Sequence, residues 1–353
     1  MAAWVAWLRL DQRNLRGRLT RSFRSGRSPP RRCATTADIR NKLLIGLVFG
    51  LLVVLGLLLY TDLQELNRQL ATFRWALLPA ALGLTLFNYL LRFVKWHYYL
   101  RLIGVTEIRV LDSLALFVGG FTLAVSPGKV AEVLKSVVLK RMVGTPVSRS
   151  MPVVLAERLS DGLAMLLLAS AGVLAYPQYW PVFAIVIGGL IVGITVVQVR
   201  PLALWLLDLA GRIPLVSRFA SELEAFYESS YELLKLKNLA IAVGLGTVSW
   251  GGEGLAFYLV LLGLGLSPSA DLLLQAVFIL AFSTIVGAVS GLPGGLGAAE
   301  VSVGAMLQTL AGLGRGMAGT ATLLIRFCTL WFGVLLGLAS LLLFHKRLFP
   351  DES

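Results

Sequence analysis

Long uncharged runs divide the chain into segments that match the thickness of a lipid bilayer. Residues 43–60 form the first run, about 27 Å of helix at ~1.5 Å per residue, which is enough to cross the hydrocarbon core. Further spans are predicted at 75–91, 239–264 and 318–344, and two more lie within 162–199, separated by turn residues and aromatics at 176–181. The pattern predicts an all-α fold, a polytopic membrane helix bundle.

Two more apolar stretches, 111–141 and 271–314, are each interrupted by a proline-glycine step. Proline lacks a backbone donor and glycine weakens a helix, so we expect each helix to break there. The arm 111–125 reaches only about 22 Å as a helix, short of a ~30 Å core, which favours a re-entrant helical hairpin over a proline-kinked continuous helix. The predicted re-entrant loops contain Pro127 and Gly128 in the first stretch and Pro293, Gly294, Gly295 and Gly297 in the second.

The two interrupted stretches share an order of charged residues. In the first, Glu132 follows the proline-glycine step and Arg158 comes twenty-six residues later; in the second, Glu300 and Arg326 have the same order and separation. Counting crossings from a cytoplasmic N-terminus makes the two hairpins enter from opposite faces. This arrangement predicts an inverted-topology repeat of the kind found in transporters, with halves at about 75–176 and 239–344.

Inverted repeats bring broken helices together near the bilayer midplane, so the two loops are predicted to form one central site. The helices that restart after each loop have unpaired N–H groups at their N-termini, which suits an anionic ligand. The candidate side chains for binding a phosphate or lipid headgroup are Lys129, Arg158, Arg326 and Arg92.

Acidic residues inside the membrane cost about 2.5–3.5 kcal/mol each on insertion scales and therefore need a partner or water. The predicted intramembrane acids are Glu132, Glu157, Asp161, Glu253 and Glu300. In one interpretation Glu132–Arg158 and Glu300–Arg326 are structural salt bridges between helices. In the other, these pairs also contact a substrate.

Arg92 and Lys95 are weaker candidates, because long basic side chains near the end of a span can reach the membrane interface. Glu253 and Asp161 are candidate proton carriers if transport is coupled to ions.

The net charge of +13 is concentrated near the N-terminus, since residues 1–42 contain eleven Arg or Lys against two Asp. This segment has no apolar period, which predicts a disordered basic tail. Beside a membrane span, such a tail favours a cytoplasmic location and contact with anionic lipids over nucleic-acid binding, with a targeting segment as a third alternative. We expect no nucleic-acid partner, both termini in the cytoplasm, and a location in the cell (plasma or inner) membrane.

Composition excludes several classes of chemistry. The chain is 57% apolar and 14% charged, unlike a soluble domain, and its two His and two Cys suit no zinc site, disulfide framework or Cys-His nucleophile. We predict no metal and no cofactor. The predicted domains are a tail at 1–42, a membrane domain at 43–347 with an amphipathic cytoplasmic segment at about 201–237, and a C-terminal tail at 348–353.

Short motifs carry a resemblance to a known family. They are Arg92-x-x-Lys95-Trp96, Pro127-Gly128-Lys129-x-x-Glu132, Glu157-Arg158-x-x-Asp161, the run from Leu292 to Gly297 with Glu300, and Arg326. Together they resemble the lysylphosphatidylglycerol synthase membrane-region family, which includes the flippase-like domain of the bacterial multiple peptide resistance factor and stand-alone relatives. The resemblance covers about Lys42 to Arg347. One departure is Ala131, where relatives commonly have glycine before the glutamate.

The resemblance implies a membrane lipid flippase or transporter for an anionic or phosphate-bearing lipid, including aminoacylated or isoprenoid-linked lipids. In the best-known relatives a separate soluble domain makes the lipid. Only nine residues follow Phe344 here, so we expect no lysyltransferase domain and a protein that is not an enzyme. The alternatives are a membrane-embedded transferase with Glu132 or Glu300 as general base, and an accessory lipid-binding subunit of a cell-envelope lipid pathway.

The expected partners are membrane lipids, with a second copy of the chain or a lipid-biosynthesis protein as further candidates. Gly287-x-x-x-Gly291 is a candidate helix-packing contact for such assembly, and packing inside the chain is the other interpretation.

Overall fold

The computed structural model describes residues 63–124, 130–211 and 220–348, together with part of the segment 48–56. The predicted tail at 1–42 and most of the predicted span at 43–60 lie outside these ranges. The α-helices, numbered in chain order, are α1 (Leu63–Thr72), α2 (Leu78–Leu102), α3 (Val110–Gly119), α4 (Val130–Val143), α5 (Val147–Ala175), α6 (Trp180–Gln198), α7 (Arg200–Gly211), α8 (Ala220–Leu233), α9 (Leu236–Gly263), α10 (Ala270–Val289), α11 (Ala298–Leu310), α12 (Arg315–Arg326), α13 (Phe332–Leu343) and α14 (His345–Leu348). Neighbouring helices are joined by 3₁₀ segments at Trp75–Leu77, Gly120–Leu123, Pro177–Tyr179 and Pro293–Gly295, and by a π-helical segment at Phe327–Trp331.

Several helices have the length and composition of membrane spans. Those that could cross a bilayer singly are Trp75–Leu102, Leu236–Gly263, Ala270–Val289 and Arg315–Leu343. A helix of twenty residues already covers about 30 Å, the thickness of the hydrocarbon core. The predicted all-α membrane bundle is therefore confirmed.

The helix of the second span is longer than the predicted span. The sequence placed the end of the span at Leu91, just before the first charge, whereas α2 continues through Arg92 and Lys95 to Leu102. The helix can continue because the charged side chains pair with acidic residues of another helix, which removes the need to reach water.

The tight hairpin predicted at 176–181 is confirmed. A 3₁₀ turn at Pro177–Tyr179 joins α5 to α6, and Pro181 lies in the first turn of α6, where its missing N–H has no cost. The ring of Tyr176 stacks on Phe278 of α10, with 5.7 Å between the ring centroids. This contact attaches the hairpin to the bundle.

The helix break predicted at Pro293 is also confirmed. α10 ends at Val289 and α11 begins at Ala298. Between them, Gly294 and Gly297 have φ angles of 59° and 85°, a backbone conformation that is costly for residues with a Cβ atom. These glycines let the chain leave one helix and start the next over a short loop.

Close packing supports this loop from the side of α10. A Cβ atom on Gly287 would lie 3.1 Å from Ala299 Cβ and 3.2 Å from Gly295 Cα. Gly287 therefore contributes to packing inside the chain. This agrees with the interpretation of Gly287-x-x-x-Gly291 as an internal packing contact.

The first interrupted stretch contains α3, a 3₁₀ turn that ends at Leu123, and α4 from Val130. Pro127 and Gly128 lie between these elements, outside the described residues. In the second stretch α10 has 20 residues and is long enough to cross a bilayer by itself. The re-entrant insertion of the two stretches and their inverted repeat therefore stay predictions.

The second loop lies beside the end of the first arm. A Cβ atom on Gly294 would be 3.2 Å from the carbonyl oxygen of Ala124, which is three residues before Pro127. The last span packs against the same arm, because the Ser340 hydroxyl donates to the Ala115 carbonyl at 3.1 Å. The two interrupted stretches thus contact each other within the bundle.

The amphipathic segment predicted at 201–237 contains α7 and α8. On α8 and just after it, Tyr227 and Leu234 are buried whereas Glu224 and Glu228 are exposed. The apolar face packs on α5. Its position on the cytoplasmic surface stays a prediction.

We expect Gly172→Ala to destabilise the bundle by about 1–3 kcal/mol, the usual cost of overpacking. An added Cβ would overlap the ring of Phe278 and lie 2.6 Å from Phe278 Cβ, so α5 and α10 must separate. Outside such a contact, alanine favours a helix over glycine by ~1 kcal/mol.

The measurement is thermal unfolding of the detergent-solubilised protein. Gly189→Ala on α6 is the matched control, since nothing lies within 4 Å of its Cβ position. Equal unfolding temperatures for the two variants would contradict the packing described here.

Candidate functional site

Helices α2 and α5 place two basic side chains against two acidic ones inside the bundle. Glu157 and Asp161 are four residues apart on α5 and share one face of the helix. Arg92 Nη2 donates to Glu157 Oε1 at 3.1 Å, and Lys95 Nζ forms an ion pair with Asp161 Oδ1. Arg92 Nε also lies 3.6 Å from Asp161 Oδ2. These four residues are called the Arg92 cluster below.

The Arg92 cluster is buried. Lys95 is 0% exposed, and the side chain of Arg92 is 11% exposed. The interpretation that Arg92 and Lys95 extend to the membrane interface is therefore wrong. The reason is that α2 packs along α9 and α5, so this face of the helix meets protein instead of lipid or water.

Lys135 of α4 extends the Arg92 cluster, although the sequence analysis did not single it out. Its Nζ lies 4.0 Å from Glu157 Oε2 and over the rings of Trp96 and Phe117, 5.1 and 4.7 Å from their centroids. Contacts of this kind between a cation and an aromatic face are favourable in a desolvated site. The sequence feature that could have identified Lys135 is its position inside α4, away from the basic residues at the end of this helix.

Arg158 does not join Glu157 in the Arg92 cluster. Successive residues of an α-helix point about 100° apart, so Glu157 is buried while Arg158 is exposed. The predicted Glu132–Arg158 pair stays a prediction, because the Glu132 side chain lies outside the described part of the chain, as does Lys129.

The predicted pair in the second half is present. Arg326 Nε donates to Glu300 Oε1 at 2.6 Å, and Arg326 Nη2 donates to the Gly294 carbonyl at 3.0 Å. Glu300 Oε2 accepts a hydrogen bond from the Gly297 N–H at 2.7 Å. These four residues are called the Arg326 cluster. One arginine thus fixes both the loop and the start of α11.

The N-terminus of α11 is occupied by its own glutamate. The sequence assigned the N–H groups at this helix start to an anionic ligand, but Glu300 already accepts from one of them. Arg326 Nη1, in contrast, makes no hydrogen bond among the described residues, and the Arg326 side chain is 16% exposed. The guanidinium therefore offers a donor to an anion in this half.

The chain after Arg326 is not regular α-helix. A π-helical segment at Phe327–Trp331 follows directly, and its Thr329 carbonyl accepts a hydrogen bond from the Tyr89 hydroxyl of α2. Segments of this kind are frequent at functional sites because they widen the helix locally. The bond to Tyr89 connects the last span to the helix that carries Arg92.

Glu253 of α9 lies within electrostatic range of both clusters. It is 3% exposed, and the charged side chains that act on it electrostatically are Arg92, Arg326 and Asp161. Within the described parts of the chain it makes no hydrogen bond or ion pair. The sequence predicted its burial but not the lack of a direct partner.

Asn88 of α2 is a second unpartnered polar group in this layer. It is 0% exposed, and neither of its amide atoms has a hydrogen-bond partner among the described residues. Ser249, one turn before Glu253, donates to the Asn88 backbone carbonyl at 3.2 Å. A polar residue within a predicted span was the signal that could have identified Asn88.

Three charges of the site lie well inside their helices. Arg92 is ten residues before the end of α2, Glu253 is ten residues before the end of α9, and Arg326 is eleven residues after the start of the last span. Each distance is about 15 Å of helix, half the thickness of the hydrocarbon core. These charges are therefore remote from the ends of the helices that carry them.

A cavity of about 300 Å³ opens beside the Arg326 cluster. Its lining residues are Leu51, Val53, Glu300, Leu323, Arg326, Phe327 and Trp331. The walls are apolar apart from one carboxylate and one guanidinium. A cavity with few polar groups among apolar side chains suits an amphipathic ligand with a negative charge.

The described residues contain no group of three or more His, Cys, Asp or Glu side chains that could hold a metal ion. The buried acids of the two clusters are paired with arginine or lysine instead.

Comparison with known proteins identifies the family. The family model described as lysylphosphatidylglycerol synthase TM region matches residues 44–337. The chain belongs to this family. A UPF0104 membrane protein from Methanothermobacter thermautotrophicus is 24% identical over 312 residues, which cover 82% of this chain and 89% of the relative. The family predicted from short motifs is thus confirmed, and the matched region contains both clusters.

We expect Lys95→Met to destabilise the protein by about 3–5 kcal/mol, because it leaves Asp161 buried with one partner fewer. The double variant Lys95→Met/Asp161→Asn should cost clearly less than the sum of the two single changes. Thermal unfolding in detergent measures this coupling.

The exposed pair Lys235–Glu232 is the control. Its atoms are 2.5 Å apart but its side chains are 47% and 38% exposed, so its removal should cost below ~1 kcal/mol. Additive effects at Lys95 and Asp161 would show that the two side chains do not depend on each other.

Proposed function

We propose that this protein moves a lipid with an anionic, phosphate-bearing headgroup between the leaflets of a membrane, without covalent change to the lipid. The observation that carries the proposal is the Arg326 guanidinium. It lies eleven residues inside the last span, faces a cavity with apolar walls, and keeps Nη1 without a hydrogen bond among the described residues. A charged donor in that position lowers the barrier that a phosphate meets in hydrocarbon.

The chemistry of the cavity suits both ends of a lipid. Arginine presents a planar fork of N–H donors that can bind two phosphate oxygens at once. Leu51, Val53 and Phe327 line the same cavity and offer apolar contact to the first carbons of the acyl chains. In this proposal the headgroup passes through the bundle while the acyl chains stay in the bilayer.

The family supports a phospholipid as the ligand, since its name refers to the synthesis of lysylphosphatidylglycerol. The contact of Gly294 with Ala124 supports a transport mechanism, because it brings the two interrupted stretches together. In the proposed inverted repeat, movement of one stretch against the other exposes the cavity to each leaflet in turn.

Transfer of a labelled lipid tests the proposal. The protein is reconstituted in phosphatidylcholine vesicles with a trace of phosphatidylglycerol that has a nitrobenzoxadiazole label on its acyl chain. Dithionite then reports the label that has reached the outer leaflet. We expect Arg326→Gln to slow transfer by about tenfold or more, the loss of one charged hydrogen bond.

Two further variants separate function from folding. Arg326→Gln/Glu300→Gln removes both charges, so no unpaired acid remains, and this variant should fold but stay slow. Arg68→Gln removes an arginine–glutamate pair of similar length, 2.7 Å, from the exposed helix α1 and should transfer at the wild-type rate. Transfer by wild-type protein no faster than in empty vesicles, or equal rates for all variants, would exclude the proposed function. A new lipid species in mass spectra would point to a transferase.

We also propose that the protein lies in the cell membrane with both termini in the cytoplasm. In a variant without its two native cysteines, Gln178→Cys should react with a membrane-impermeant maleimide in intact cells. Leu236→Cys, 83% exposed at the start of α9, should react only after the cells are opened. The reverse pattern would overturn this orientation.

A further inference from the structure

The buried charged side chains of the site balance one another. In the described part of the bundle, four basic and four acidic side chains of this region are at most 16% exposed. They are Arg92, Lys95, Lys135, Arg326, Glu157, Asp161, Glu253 and Glu300. Fully ionised, the set has no net charge. It therefore holds no surplus positive charge to offset a phosphate that enters the cavity.

Glu253 differs from the other three acids. Glu157, Asp161 and Glu300 each form an ion pair with a basic side chain. Glu253 is 3% exposed and makes no hydrogen bond or ion pair within the described residues. A buried carboxylate without a partner is costly to keep ionised. Of the four acids, Glu253 is thus the one that can be neutralised without loss of an ion pair among the described residues.

The surroundings of Glu253 connect it to the proposed phosphate site. The groups that face it are Arg92 and Tyr89 from α2, Asp161 from α5, and Arg326 and Cys328 from the last span. Helix α10 also packs on α9, but its single ionisable residue, Asp271, lies in its first turn. Both arginines are already engaged with other acids. A phosphate at Arg326 would therefore add negative charge near a carboxylate to which no described residue donates a hydrogen bond.

We propose that Glu253 binds one proton when an anionic headgroup binds at Arg326, so that lipid and proton cross the membrane together. Two like charges in one low-dielectric region disfavour each other, and protonation of Glu253 removes one of them. The charge balances, since one negative headgroup and one proton enter together. The site then has the same net charge with and without the lipid. Movement of the lipid together with the proton carries no net charge through the bilayer.

Asn88 is a candidate partner for the protonated acid. Its amide has no hydrogen bond among the described residues, and it belongs to the helix face that meets α9 one turn before Glu253. A neutral carboxyl group needs both a donor and an acceptor, and a carboxamide provides both. This inference rests on the proposed transport function and adds the ion that accompanies the lipid.

Calorimetry measures the proton directly. Dihexanoyl phosphatidylglycerol is titrated into the full-length protein in detergent, in two buffers that differ in ionisation enthalpy. The difference in heat gives the number of protons taken up per lipid bound. We expect about one proton for the wild type and none for Glu253→Gln, which keeps the shape of the side chain but cannot ionise.

Glu228→Gln is the matched control, because Glu228 is 48% exposed on α8 and should leave the proton count unchanged. Dihexanoyl phosphatidylcholine, which has no net charge, should cause no proton uptake in the wild type. Binding of phosphatidylglycerol without proton uptake would overturn this inference and leave lipid transport standing. Equal uptake by Glu253→Gln would show that another group takes the proton.

A pH gradient across the vesicles provides the second test. In the dithionite assay the wild type should accumulate the labelled phosphatidylglycerol on the alkaline side, while a membrane potential alone should have no such effect. If the distribution of the labelled lipid between the leaflets does not depend on the pH gradient, proton coupling is contradicted. An absence of any transfer contradicts the proposed function itself, so the two failures can be told apart.

Discussion

The cost of holding charge inside a bilayer is the constraint on which this structure depends. Arg92 and Lys95 lie well within α2, and they are tolerated there only because Glu157 and Asp161 face them from α5. The same requirement joins Arg326 of the last span to Glu300 of α11. These ion pairs fix which helices are neighbours, and apolar packing fills the space between them.

Arg326 has a structural role, to which the proposed function adds a second one. Its guanidinium holds the Gly294 carbonyl and the Glu300 carboxylate, so it stabilises the break between α10 and α11. It also faces the cavity. A phosphate that binds to this arginine would compete with the loop for its donors. In the proposed function, ligand binding would thus be coupled to loop position, and the contact of Gly294 with Ala124 would extend that coupling to the first stretch.

Several features of the site follow from local sequence, and others do not. Proline and glycines within an apolar run predict a helix break, because they act on the backbone where they occur. The equal spacing of Glu132–Arg158 and Glu300–Arg326 predicted a pair that the structure contains in the second half. The burial of Lys95, the role of Lys135 and the exposed position of Arg158 could not be predicted this way. Each depends on which face of a helix meets which neighbour.

The sequence by itself determined the class of protein, the loop at Pro293 and the family, because hydropathy and backbone chemistry act over a few neighbouring residues. Only the tertiary structure decided which charges are partners and which is left alone. Lys95 and Asp161 are 66 positions apart, and Arg326 and Glu300 are 26 apart. Among the described residues Glu253 has no direct partner, because the two arginines that act on it are engaged by acids on other helices. Helix packing decides which of these distant residues become partners. Helix packing depends on the whole chain and cannot be predicted from any single segment.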